Sequence, residues 1–196
     1  MPRVGLTPDR VVAEAAAVAD ELGLDRLSLA AVADRLGVRV PSLYKHVDGL
    51  DDLRRRIARA AVRDLADVFA TETAGRSGRD ALVACATAWR RYAREHPGRY
   101  AAVQRPPDPA DAEAVAAAER LVQLLFAVLR GYGHDRDDEV HATRAVRSAL
   151  HGFVTLELLG GFGRPEDVDL SFDRLVDLLD AGLRAQAGAR VRQTRR

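Results

Sequence analysis

The stretch SLAAVADRLGVRVPSLYKHV, Ser28 to Val47, decides how the rest of the chain is read. Leu29, Val32, Ala33 and Leu36 recur at helical spacing with Asp34 and Arg35 off the stripe, which predicts a short amphipathic helix from Ser28 to about Leu36. The Ser28 hydroxyl suits an N-cap, because it can accept from an otherwise orphan amide at the helix start. Gly37 permits the left-handed backbone that ends a helix sharply. Pro41 sits where a first-turn proline is tolerated and opens a second helix through Ser42, Leu43, Tyr44, Lys45 and His46. A helix, a tight turn with glycine and a second helix make the helix-turn-helix plan, whose second helix enters the major groove of DNA.

Composition frames that reading. The 196 residues are enough for one or two small domains with a proper core. Hydrophobic residues at 47% and charged residues at 30% exclude a disordered chain. Ile57 is the only isoleucine, and alanine, leucine, arginine and aspartate dominate, a mixture that favours helix almost throughout. With a formal net charge of +1, any nucleic-acid surface has to be local. A single cysteine, Cys85, excludes an intramolecular disulfide and points to a reducing compartment. The segment MPRVGLTPDR lacks the apolar core of a signal peptide, and no apolar run reaches transmembrane length. A cytoplasmic protein without membrane partners is expected.

Outward from the motif, Thr7 and Pro8 mark a cap and first turn for a helix buried through Val11, Ala15, Val18, Ala19 and Leu22 and stopped by Gly23. After the motif, Asp48 with Asp51 is expected to cap a long helix carrying Leu50, Leu53, Ile57, Ala61, Leu65 and Phe69, ending near Gly75. Five more helices are expected over about 78–95, 96–103, from the Asp108–Pro109 cap to about 130, over 136–159 and over 170–187. The fold class is therefore all-α, about nine helices: a three-helix headpiece, residues 1–65, and a larger helical bundle, residues 66–190, followed by a frayed arginine-rich tail at 191–196. No Gly/Pro linker separates the halves, so the boundary falls inside the long helix and mechanical coupling is expected.

Tyr44 and Lys45 project from a helix too short and polar to be explained by core packing, and Lys45 is the only lysine in the chain. Tyrosine hydroxyls and ammonium groups position proteins on phosphates, and the planar fork of Arg39 suits a guanine edge. The alternative is a plain surface turn of a helical bundle. In the second half, Cys85, Trp89, Tyr92, Phe126 and His141 have the mixed apolar and polar character of a ligand pocket, or of simple packing. His134 and His141 lack ligand spacing for a metal, so none is expected. No catalytic motif and no phosphate-binding glycine loop occurs, so neither an enzyme nor a cofactor is expected.

These residues carry a resemblance. The Gly–Leu pair after the first helix, AAVADRLGV, and PSLYKHV leading into a long helix resemble the DNA-binding domain of the TetR family of transcriptional regulators. The resemblance implies a DNA-contacting set of Ser28, Arg39, Val40, Pro41, Ser42, Tyr44, Lys45 and His46. In it Tyr44 and Lys45 grip phosphates, and Arg39 to Ser42 face base edges or the backbone beside them. The family often carries a phosphate-binding lysine at the start of the fourth helix, where this chain has Leu50; Arg54 or Arg55 are the nearest substitutes.

SALHGFVTLELLGGFG and DVDLSFDRLVDLLDAGL resemble the C-terminal domain of a TetR subgroup named for a Trp-His-Gly signature, with Leu150 in place of the tryptophan. Gly152 inside a helix costs about 1 kcal/mol relative to alanine, which suits a close helix approach. The family resemblance implies an intersubunit four-helix bundle burying Gly152, Phe153, Leu156, Leu175 and Leu179; an intrachain core is the alternative. Together these imply a homodimeric, ligand-responsive regulator, most simply a repressor, of a double-stranded DNA operator, released by a small-molecule effector. A helical small-molecule-binding or enzymatic bundle with a headpiece that no longer binds DNA is the competing reading.

Overall fold

The computed structural model describes residues 5–133 and 136–193, with the backbone alone at 136, 137 and 188–193. His134 and residues 194–196 of the expected tail lie outside the described residues. Among those described there are nine α-helices and no strand: α1 (Pro8–Leu22), α2 (Leu29–Leu36), α3 (Val40–Leu43), α4 (Leu50–Thr73), α5 (Gly78–Glu95), α6 (Pro97–Val103), α7 (Ala112–Arg130), α8 (Arg136–Leu158) and α9 (Val168–Gln193). No described helix is long and apolar enough to cross a membrane.

The helix ends follow local chemistry. Thr7 Oγ1 accepts the Arg10 amide at 3.2 Å, and Pro8 lies in the first turn of α1. Two boundaries differ from expectation. Asp48 stands outside α4, because the Leu53 amide donates to the Gly49 carbonyl and the helix opens at Leu50. Asp108 stands outside α7, because Asp108 to Asp111 form a turn whose last member caps the helix, Asp111 Oδ1 accepting the Ala114 amide at 2.9 Å. At the other end of the chain, the α9 backbone continues to Gln193, past the expected stop near Ala187.

The chain forms two compact units, Met1–Leu65 with Tyr92–Ala118, and Ala66–Arg91 with Glu119–Arg196; the divisions fall inside α4, α5 and α7. The first unit therefore holds the expected headpiece together with α6 and parts of α5 and α7. Its core gathers Val11, Val18, Val32, Leu43, Leu53 and Ile57. Burying such a side chain stabilises by about 1.5–3 kcal/mol. α6 lies directly on α1: a Cβ at Gly98 would collide with the carbonyl of Ala19. His96, at the N-cap of α6, makes no side-chain cap bond; Asp20 of α1 takes that role, its carboxylate accepting the Arg99 amide at 2.8 Å.

The second unit is built on Phe69, Leu82, Trp89, Leu129, Leu150, Val154, Phe172 and Val176, all buried. A charged knot lies among them. Arg90, only 9% exposed, donates to both Glu157 oxygens at 2.5 and 2.8 Å and pairs with Asp169 at 2.7 Å. Its guanidinium carbon also stands 4.7 Å from the Phe172 ring centroid, within cation–π range.

Candidate nucleic-acid interface

The site is set by what the motif buries. Ser28 caps α2, its hydroxyl accepting the Ala31 amide at 3.2 Å. Gly37 ends α2 at φ 65°, a conformation that disfavours residues with a Cβ, and the Val38 amide returns to the Ala33 carbonyl at 3.0 Å. α3 is only Val40–Leu43, shorter than expected; Tyr44 to His46 continue as a turn closed by the His46 and Val47 amides onto the Leu43 carbonyl. Leu43 and Val47 are the anchors, at 0% and 2% exposure. Four residues apart, they put one face of this segment into the core and turn the other out.

The outward face carries the residues singled out from sequence. Arg39, Pro41, Tyr44 and Lys45 are exposed, while Val40, Ser42 and His46 are half-buried. Tyr44 is 58% exposed, high for an aromatic residue. Among the described residues, Arg39 and Lys45 have no carboxylate within ion-pair distance. The basic side chains behind them are engaged: Arg35 with Glu14 and Glu21, Arg54 with Asp51, and Arg56 with Asp52. Leu50 is half-buried against the headpiece core. Arg55, more than half exposed and 3.7 Å from Asp52, is the more open of the two candidate substitutes.

Sequence reasoning missed the tether behind the tip. Arg56 Nη1 donates to the His46 carbonyl at 3.1 Å, and its Nε pairs with Asp52 at 2.9 Å. The same Asp52 oxygen accepts the Asp48 amide at 3.0 Å. Burial by itself raises the Asp52 carboxyl, but the Asp48 amide and the Arg56 guanidinium outweigh it and hold it below its ordinary range. The i, i+4 spacing of Asp52 and Arg56 was the available signal; their backbone partners at 46 and 48 were not legible from it. Chemically, the tip presents two exposed cations and a phenol on a braced turn, a set suited to phosphate oxygens and a base edge.

The expected pocket residues are placed as follows. Tyr92 belongs to the first unit, where its hydroxyl donates to the Ala61 carbonyl at 3.2 Å. Cys85, Trp89, Phe126 and His141 belong to the second. There Trp89 packs on Phe69 at 5.5 Å between centroids, Cys85 is buried, Phe126 is half-buried and His141 is exposed. Burial pushes the Cys85 thiol up to about 12, so its thiolate is scarce at neutral pH. Of the expected interface residues, Phe153 packs within the unit, 4.8 Å from Phe162 and 5.2 Å from Phe172. Leu156 is exposed, Leu175 and Leu179 are half-buried, and a Cβ at Gly152 would meet open space. Leu159 and Leu178, not singled out from sequence, are 78% and 72% exposed.

Residues 82–179 match the family model described as "Tetracyclin repressor-like, C-terminal domain". The chain is 39% identical over 179 residues to an uncharacterized HTH-type transcriptional regulator, Rv0681, of Mycobacterium tuberculosis, covering 91% of this chain and 82% of that one. It is 37% identical over 175 residues to a second, YobS of Bacillus subtilis, covering 87% and 90%. Among solved structures, TetR-Q116A from Acinetobacter baumannii in complex with minocycline shares the fold, with a TM-score of 0.66 at 23% identity over 93% of this chain and 99% of that one.

Proposed function

Because the chain belongs to the TetR family of transcriptional regulators, we propose that it is a ligand-responsive repressor of the subgroup named for its Trp-His-Gly signature, binding a palindromic operator as a homodimer. Residues 1–65 serve as the reading head and 66–190 as the effector and dimerisation region. The observation that carries the reading is exposed Arg39 and Lys45, without an ion-pair partner among the described residues, beside exposed Tyr44, on a turn anchored by Leu43 and Val47. Tyr44 and Lys45 hold phosphates, Ser28 and His46 flank the contact, and Arg39, Val40, Pro41 and Ser42 face the bases. Two copies present two such tips about one DNA turn apart, roughly 34–36 Å.

Dimerisation is supported by the apolar side chains that α8, the turn after it and α9 leave in water, Leu156, Leu159, Leu170 and Leu178. A small-molecule effector is supported by the minocycline-bound neighbour in fold. Cys85, Trp89, Phe126 and His141 of the second unit are its candidate contacts. An effector releases DNA only by binding the DNA-incompetent state more tightly. α4 contributes to both units and is the element expected to carry the change. Selection of bound duplexes from a random pool tests the reading. Enrichment of a two-fold symmetric site supports it; wild-type protein that enriches no sequence leaves the alternative, a helical ligand-binding bundle with an inactive headpiece.

A further inference from the structure

Within the first unit, α1, α4 and α6 enclose a cleft of about 300 Å³, room for roughly ten water molecules. Its floor is apolar, from α1 and α4. Its polar wall is made by Arg56, Arg59 and Arg63 of α4 and Arg99 of α6, with Asp9 and Asp64 also on the lining. Positions 56, 59 and 63 are three and four apart, so one face of α4 carries all three guanidiniums. Two of the four are committed to half-buried carboxylates: Arg56 to Asp52 at 2.9 Å and Arg99 to Asp20 at 3.1 Å.

Arg59 and Arg63 are held differently. A single oxygen, Glu113 Oε2 in the first turn of α7, lies 3.0 Å from Arg59 Nη1 and 3.0 Å from Arg63 Nη2. Asp111 adds only a 3.6 Å contact to Arg59. Glu113 is well exposed, with 65% of its side chain in solvent. An exposed ion pair of this kind holds weakly, whereas a small oxyanion offering two or more oxygens can meet two guanidinium forks at once.

We propose that the Arg59–Arg63 pair at this cleft is a binding site for a small dianionic oxyanion, carboxylate or phosphate in class, and that Glu113 is its built-in competitor. The charge on the wall selects an anion, the cleft's volume limits it to a small one, and the apolar floor accepts a short carbon skeleton. Binding displaces Glu113 from α4 and competes with the longer Asp111 contact to Arg59.

Calorimetric titration of the full-length protein with succinate and with inorganic phosphate, at constant ionic strength against a chloride control, tests the assignment. One anion or both should bind at one per chain. Binding of succinate alone fixes the carboxylate class, and of phosphate alone the phosphoryl class. Glu113→Gln should tighten binding at least threefold, a gain that a merely structural pair would not give. Arg59→Gln combined with Arg63→Gln, checked for folding by circular dichroism, should weaken it at least tenfold. No heat beyond the chloride control, or no tightening in Glu113→Gln, overturns the proposal. So does loss of binding in Lys45→Ala, which would put the anion on the exposed tip.

Discussion

Asp52 ties the exposed tip to the helix behind it, since one of its oxygens serves both the Asp48 amide and the Arg56 guanidinium, and Arg56 reaches the His46 carbonyl. Because this carboxyl titrates lower in the fold than in the unfolded chain, its contribution is complete above about pH 4 and is lost as the pH falls through the lower folded value. Asp52→Asn keeps an acceptor for the Asp48 amide but loses the charge facing Arg56. It should cost about 1 kcal/mol at pH 7, and in urea titrations the gap between variant and wild type should narrow towards pH 3. A gap that does not change with pH would contradict this account of Asp52. The backbone partners at 46 and 48 come from the fold of the turn, which is why the tether could not be read from residue spacing.

At the scale of elements, helix ends were the most legible feature, because caps are local. Thr7, Ser28, Gly23 and Gly37 all act where their chemistry placed them. Asp108 was misplaced as a cap because a second acidic residue, Asp111, stood within one helical turn; Asp48 was misplaced because α4 opens at Leu50, and its amide instead donates to Asp52 inside the helix. Long-range features were less legible. Gly98 matters because α6 presses on Ala19, and no spacing rule connects residues 79 positions apart. Arg90 left a trace: it lies four residues after buried Ala86, on the register of the core face of α5. Removing one partner of its buried pair strands a charge, which costs about 3–5 kcal/mol, whereas replacing both by apolar residues is often neutral or stabilising. Arg90→Met should therefore destabilise by about that amount; Glu157→Met should cost less, because Asp169 still pairs with Arg90 at 2.7 Å, and the double variant should recover most of the Arg90→Met loss in denaturant unfolding. Additive losses would mean that the pair is not the joint between α5 and α8.

At the scale of the whole molecule, the fold class was written in the helical periodicity, but the partition into two units was not. The chain returns through α6 to complete the first unit, and that return depends on contacts between distant segments. Exposed leucines are the part of the structure a single chain leaves unexplained, and the proposed homodimer accounts for them. Leu159→Asp with Leu178→Asp should convert a sedimenting dimer to a folded monomer and lower operator affinity by at least tenfold. A dimer that persists in this variant would move the interface elsewhere. The measurement that bears most directly on the central claim is the salt dependence of binding to the selected duplex by wild type and Lys45→Ala. If Lys45 neutralises one phosphate in each half-site, the log–log slope should become shallower by about 2 for the dimer, roughly 1 per contact. Equal slopes and equal affinities in the two proteins would contradict a reading head at Tyr44 and Lys45.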